Sequence, residues 1–395
     1  MQIMEILFFV SVFIVFYTYI GYGVVLYSLV RLKRIFKGRV SETAADYEPE
    51  VTILITAYNE RENVVSKVEN TRSLDYPKEK IKHIWVTDGS NDGTPQMVAE
   101  YPEIEVLHLD ERRGKIAAMN RAMKFVKTPI VIFSDANTML GADSVRVIAK
   151  MFGNPKTGCV SGEKRIRVLS EDSAAGAGEG IYWRYESTLK KWDAELYSAV
   201  GAAGELFAIR TELYNEVEPD TLLDDFIISL RVAMRGFKID YNPQAYAIEA
   251  PSENIKEELK RKIRIAAGGI QSVVRLYPLL NIFRYGILSF QYISHRVLRW
   301  TLAPLLLPLI FILNGVLAGN SPVYMDSFVY GILFAAQIIF YLMALLGWFL
   351  QSRKIKVKIL FIPYYFLVMN YAVYRGFFRY IGKKQSVNWE RAKRG

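Results

Sequence analysis

Three short polar clusters each close an apolar run. Thr56-Ala57-Tyr58-Asn59-Glu60 ends VTILITAY, Thr87-Asp88-Gly89-Ser90-Asn91-Asp92-Gly93-Thr94 ends KHIWVTDG, and Ser134-Asp135-Ala136-Asn137 ends PIVIFSDAN. Such residues make turns and helix caps. Three clusters at three strand ends are more than turn chemistry needs. Carboxylates and amide oxygens are hard ligands for Mg²⁺ or Mn²⁺. In an extended segment, residues i and i+2 project to one side, so Asp135 and Asn137 can face one cation, as a nucleotide diphosphate requires. Further on, Asp224-Asp225 sets two carboxylates side by side. Their repulsion raises the proton affinity of one, which suits a base that removes a hydroxyl proton. The same pair also suits the N-cap of the helix FIISLRVAMRG.

These residues need a frame. From residue 50 onward the chain alternates a strand (VTILITAY), a helix (RENVVSKVENTRSL), a strand (KHIWVTDG), a helix (TPQMVAEY), a strand (EVLHLD), a helix (KIAAMNRAMKFV) and a strand (PIVIFSDAN). That order predicts an α/β fold with a mostly parallel, Rossmann-like sheet. Such sheets bind ligands beyond the carboxyl ends of their strands, where the clusters fall.

The flanks read differently. Residues 6–30 carry no charge and are long enough to span a bilayer. Residues 301–325 and 327–352 are two further uncharged stretches, split by Asp326. Arg31, Lys33, Arg34, Lys37 and Arg39 follow the first stretch, and QSRKIKVK follows the third, which places both flanks, and the insert between them, in the cytoplasm. The segment 359–374 is short for a span and could cross or lie in the interface, which leaves the side of the basic tail open. Residues 278–300 predict an amphipathic interfacial helix. The net charge of +10 is concentrated in these flanks, leaving the remainder acidic, so nucleic acid is not an expected partner. The single Cys159 excludes an intramolecular disulfide. Spans without acidic residues, and no inverted repeat, argue against a transporter.

The runs VTILITAYNE, VTDGSNDGT, RRGKIAAMN and IFSDANT together resemble the family 2 glycosyltransferases with a GT-A fold. The resemblance covers about residues 50–275. With its flanking spans the chain is more similar to their membrane-embedded branch, which includes cellulose, hyaluronan and poly-N-acetylglucosamine synthases. The resemblance implies that Ala57, Tyr58 and Glu60 hold a uridine, that Asp88 contacts its base and that Lys115 lies near the phosphates. Asp135 and Asn137 match the metal-binding D-x-D, with Asn in the second place. Gly204 and Glu205 fall in the segment that forms the acceptor pocket, with Glu205 either touching the acceptor or forming a salt bridge. Trp183 is available to stack on a sugar or to pack. Asp224 takes the Glu place of the E-D motif, and Asp225 matches the general base. Arg261-x-x-Arg264-Ile265 stands where processive members carry Q-x-x-R-W, so Arg264 is kept for the departing diphosphate while Gln and Trp are not.

The expectation is a membrane-bound inverting transferase using a UDP-sugar and Mg²⁺ or Mn²⁺, acting on a lipid-linked or glycan acceptor in cell-surface polysaccharide synthesis. The competing expectation is a processive synthase that couples β-glycan polymerisation to export, with a homo-oligomer or export partner completing its channel. A catalytically dead glycan-binding module is disfavoured by Asp88, Asp135 and Asp225 occurring together. The organisation expected is a span and basic flank (1–40), a cytosolic GT-A domain (41–275), an interfacial helix (276–300), two spans (301–352), and a basic loop, fourth helix and basic tail (353–395).

Overall fold

The computed structural model describes residues 2–37, 47–167, 174–251, 255–320, 324–353 and 357–382. Eight strands form one sheet: β1 Val51–Ala57, β2 Ile81–Asp88, β3 Ile104–Leu109, β4 Ile130–Asp135, β5 Met139–Leu140, β6 Thr157–Ile166, β7 Leu206–Arg210 and β8 Lys238–Glu249. Their order is β3-β2-β1-β4-β7-β6-β8-β5. The first four are parallel to one another, as the alternation predicts. Strand β7 then pairs antiparallel with β4 and β6, β6 runs parallel to β8, and β5 closes the far edge.

The parallel half explains why the polar clusters meet. Ala57 lies opposite Thr87, and Thr56 opposite Asp135, so all three clusters leave the sheet at one edge. Strand β1 is buried along its whole length, as a parallel strand covered on both faces must be. Val51, Ile53 and Ile55 pack with Ile130 and Ile132 under Val64 and Val68 of helix Arg61–Arg72. Leu54, Val131 and Phe133 face the other way, against Ile116 and Met119 of helix Lys115–Met123 and Ile227 and Leu230 of helix Asp224–Met234. The period of two thus sorts one strand between two cores.

Among the described residues, three helices are long and apolar enough to cross a membrane: Gln2–Phe36, Leu302–Asn320 and Phe328–Gln351. Phe8 packs into Leu306, Ile310, Leu313 and Tyr330, tying the three together. Helix Lys358–Ile381 is not one of them. Tyr374 donates to the Pro304 carbonyl (2.7 Å) at the start of the second apolar helix, and Tyr19 donates to Asn370 (2.7 Å). A Cβ on Gly376 would come 2.7 Å from Ala266 Cβ and Ala267 N. The helix therefore crosses helix Ile255–Arg275 at a patch of small residues, beside the sheet domain.

Where the sequence predicts one interfacial helix over 278–300, the chain breaks into pieces. Asn281 caps a single turn, Ile282–Tyr285, accepting from Phe283 N (3.1 Å) and Arg284 N (3.2 Å). Gly286 then takes φ 54°, which glycine adopts without a Cβ penalty. Helix Ile287–Tyr292 continues through a π turn at Ile293–Val297 into Leu298–Trp300.

Candidate active site

A cavity of about 980 Å³ opens where the polar strand ends face helices Ala174–Leu196, Asp224–Met234 and Ile255–Arg275. Of the residues singled out from sequence, Tyr58, Glu60, Lys115, Asp135, Asn137, Trp183, Gly204, Glu205, Asp224, Asp225, Arg261 and Arg264 line it. Ala57 and Asp88 are buried and do not.

The second cluster divides its labour. Asp92 accepts from Thr94 N (3.0 Å) and Arg61 N (3.1 Å), and Asn59 and Asn91 bond each other. Ser90 accepts from Asn59 N, where the backbone turns through φ 51°. Those residues tie the first strand's loop to the second's and do turn chemistry. Asp88 does more. Its Oδ2 accepts from Arg113 N (2.9 Å) and Gly114 N (2.6 Å), which fixes the loop in front of Lys115, while its buried Oδ1 accepts no hydrogen bond among the described residues. Arg112 of the same loop lies 3.7 Å over the Tyr58 ring. That cation–π pair ties the loop before Lys115 to Tyr58, which lines the cavity, and no charge spacing in the sequence announces it.

Lys115 is the hub of the charged floor. Its Nζ lies 2.9 Å from Asp135 Oδ1 and 3.3 Å from Asp224 Oδ2. Burial works to lower its pKa, but Asp135 and Asp224 hold the ammonium above the ordinary lysine range. Beneath it, buried Lys67 donates to Ser134 Oγ (2.8 Å) and to the Thr138 carbonyl (2.6 Å), which pins the loop carrying Asp135 and Asn137. Burial pushes the Lys67 pKa down to about 7.

Asp225 stands beside this floor. Burial, then the neighbouring Asp224, push its carboxyl up to about 7 against the pull of Lys115. A base with that proton affinity works at neutral pH. Gly204 backs it closely, since a Cβ there would lie 3.3 Å from Asp225 Oδ2. The Asp225 carbonyl accepts from Ser229 Oγ (2.6 Å) one turn on, as the first turn of a helix allows. The pair thus opens helix Asp224–Met234 and faces the cavity at once.

Glu205 resolves as an ion-pair member. It and Glu249 share the buried ammonium of Lys164. Burial would raise the Glu205 pKa, yet Lys164 holds it below the usual carboxylate range. Trp183 has Lys164 Nζ 5.8 Å and Lys262 Nζ 5.3 Å from its ring centre, so one of its flanks is cationic. Lys164 and Glu249 were not legible as site residues, because their pairing spans 85 positions and two strands. Arg261 is bound to Glu258 by two bonds of 2.9 Å. Arg264 makes no hydrogen bond or ion pair among the described residues. Burial lowers its pKa, and Asp224, Asp225 and Asp135 oppose that.

The donor set can be tested for a divalent cation. Among the described residues, no three His, Cys, Asp or Glu side chains are grouped to hold a metal. Asp135 and Asn137 give one carboxylate and one amide on the cavity wall. They fit a cation whose remaining oxygens come from a diphosphate and water, not an all-protein cage.

Residues 52–218 match the family model described as Glycosyl transferase family 2. The chain is 27% identical over 283 residues to a poly-beta-1,6-N-acetyl-D-glucosamine synthase of Staphylococcus aureus, covering 70% of this chain and 67% of that protein. It is 27% identical over 233 residues to the synthase of the same description from Staphylococcus epidermidis, covering 57% and 56%. Among solved structures, it is similar to the mannosyltransferase PcManGT from Pyrobaculum calidifontis in complex with GDP-Man and Mn²⁺. That likeness has a TM-score of 0.70 at 21% identity and covers 96% of this chain and 100% of that one, so the likeness of fold extends from the GT-A domain through the flanking helices.

Proposed function

From a chain that carries a family 2 glycosyltransferase domain, we propose a membrane-embedded, inverting transferase that moves one sugar from a nucleoside-diphosphate sugar, UDP-linked first, to an acceptor hydroxyl at the membrane. The observation that carries the reading is Asp225. It is a half-buried carboxyl beside Asp224, sharing one cavity with Lys115, Asp135 and Arg264.

Each residue has a task in this reading. Tyr58 and Glu60 border the nucleoside end, with Asp88 holding the loop from which Arg112 stacks on Tyr58. Lys115 and Arg264 face the diphosphate and stabilise the charge that builds on it as the anomeric bond breaks. Asp135 and Asn137 hold Mg²⁺ or Mn²⁺, which supplies further charge neutralisation when bound. Asp225 takes the acceptor's proton as its oxygen attacks the anomeric carbon from the face opposite the leaving group, so an α-linked donor yields a β-linked product. Asp224 stays paired with Lys115 and raises the proton affinity of Asp225.

The three apolar helices support a multi-pass chain, and Arg31, Lys33, Arg34 and Lys37 at the C-terminal end of the first helix support a cytoplasmic catalytic domain. The contacts of helix Lys358–Ile381 support an interfacial helix in place of a fourth span. The likeness to synthases named for a polymer favours a second reading, processive synthesis with export. Product length on a gel separates the two. The test of the main reading is release of nucleoside diphosphate by the full chain in detergent, with UDP- and GDP-sugars and Mn²⁺, Mg²⁺ or EDTA. Metal-dependent release from one donor supports it. No release from any donor, with membrane lipid extract present, overturns it.

A further inference from the structure

Lysine is rarely buried in full without an acid partner. Lys67, on helix Arg61–Arg72, is 0% exposed and makes no ion pair among the described residues. Its neighbours one turn either way on that face, Val64 and Val68, belong to the apolar core. A methionine would fill the same space without the cost of burying an amine. What the lysine adds is two hydrogen bonds. Its Nζ donates to Ser134 Oγ (2.8 Å) and to the Thr138 carbonyl (2.6 Å). Those two acceptors bracket residues 135–137.

The bracket has further ties. Thr138 Oγ1 donates to the Asp135 carbonyl (3.0 Å), which closes the loop on itself. Asn70 follows Lys67 by three residues, so it lies on the same face of the helix. Its Nδ2 donates to the Leu140 carbonyl and its Oδ1 accepts from Leu140 N, each at 2.8 Å. One helix face therefore grips the chain from 134 to 140. Asp135 and Asn137, held between the two bonds of Lys67, line the cavity. Burial pushes the Lys67 pKa down to about 7, and a neutral amine still has the two N–H donors that these acceptors take. A loop with one carboxylate and one amide has little charge with which to draw a cation. Its contribution is placement, which is what outer ties of this kind secure.

We propose that Lys67 is a positioning residue for the divalent cation, acting through Ser134 and Thr138 to hold Asp135 and Asn137 where a nucleotide-bound Mg²⁺ or Mn²⁺ meets both. The proposal rests on the reading of Asp135 and Asn137 as the metal pair. It explains why an amine stands in an apolar core: the bonds serve the loop that faces the cavity, not the helix that carries the lysine.

The experiment is Mn²⁺ binding by the full chain in detergent, read by electron paramagnetic resonance with saturating UDP and, separately, GDP. Nucleotide affinity in EDTA and the melting temperature are measured beside it. Lys67→Met should weaken nucleotide-dependent Mn²⁺ binding roughly 10–100-fold, with nucleotide affinity in EDTA unchanged. Ser134→Ala removes one of the two acceptors, so it should weaken Mn²⁺ by a smaller factor and add little in the Lys67→Met background. A lysine that only supports the core would lower the melting temperature and leave Mn²⁺ binding as in the wild type; that result overturns the proposal. Tighter Mn²⁺ binding in Lys67→Met would assign the lysine's effect to its charge and overturns it too. If Lys67→Met no longer binds nucleotide in EDTA, Ser134→Ala decides, and unchanged Mn²⁺ affinity there overturns the proposal. Wild type that binds nucleotide but no nucleotide-dependent Mn²⁺ overturns the metal reading and the proposal with it, whereas the other results overturn the proposal alone.

Discussion

Replacing Asp224 by Asn should move the acid limb of the pH–rate profile, and in a direction fixed by geometry. The Asp225 carboxyl stands at about 7 against an ordinary 3.8, a rise of about three pH units. Burial is the larger cause and the Asp224 charge the next. The Asp224 charge disfavours the ionised form of Asp225, and each pH unit it contributes corresponds to about 1.4 kcal/mol. In the wild type, kcat/KM for nucleotide release should climb through pH 7 as Asp225 loses its proton, then level off. Asp224→Asn should climb at lower pH than the wild type. Lys115→Met removes a charge that favours the ionised base, so its limb should move the other way, above 7. Both residues line the cavity, and both variants will be slower. Only the midpoint is read, from pH 5 to 9, because kcat/KM reports the free enzyme. Midpoints that move together, or that stay at 7 in both variants, would refute Asp225 as the base tuned by this floor.

Four further outcomes follow from single contacts. Gly204→Val places methyl groups against Asp225 Oδ2, which a Cβ at that position would already approach to 3.3 Å, and should cut turnover by roughly 10²-fold with thermal stability held; measured kcat and melting temperature decide it. Lys164→Met removes the ammonium that Glu205 and Glu249 share and should cost about 3–5 kcal/mol, seen as a lowered melting temperature that Glu205→Gln partly restores. Gly376→Leu drives a side chain into the Ala266–Ala267 backbone and should cost roughly 1–3 kcal/mol, read as earlier thermal aggregation in detergent. A Cys at Ser386, which lies outside the described residues, in a Cys159→Ser background should react with an impermeant thiol reagent only from the cytoplasmic face of oriented vesicles, and labelling from the outer face alone would restore a fourth span.

The legible part of the fold is the part made by short-range pattern. Alternating apolar runs predict β1 to β4 within a residue or two, because a strand buried on both faces leaves few alternatives to Val, Ile and Leu. The polar clusters stand out because Asp, Asn, Ser and Gly gather at three strand ends, although Asn59, Ser90, Asn91 and Asp92 serve the turns and Tyr58, Glu60, Asp135 and Asn137 line the cavity. Asp224-Asp225 is visible as adjacent charges before an apolar helix. Long-range pairing was not legible. The Lys164 link to Glu205 and Glu249 and the stacking of Arg112 on Tyr58 each depend on elements distant in sequence. The run Ala266-Ala267-Gly268-Gly269 reads as a weak helix, and only the structure shows why. A Cβ on Gly268 would meet Leu222 and Leu223, just ahead of Asp224 and Asp225, and one on Gly269 would meet the Trp300 ring. The break at Gly286 was missed because amphipathic spacing continues across it.

The most direct test of the central claim is nucleoside diphosphate release by the full chain at pH 8, wild type beside Asp225→Asn, with nucleotide affinity measured in parallel. General-base loss predicts a fall of roughly 10²–10⁴-fold in turnover with unchanged nucleotide binding. Turnover within threefold of wild type in a variant that binds nucleotide normally would contradict the account.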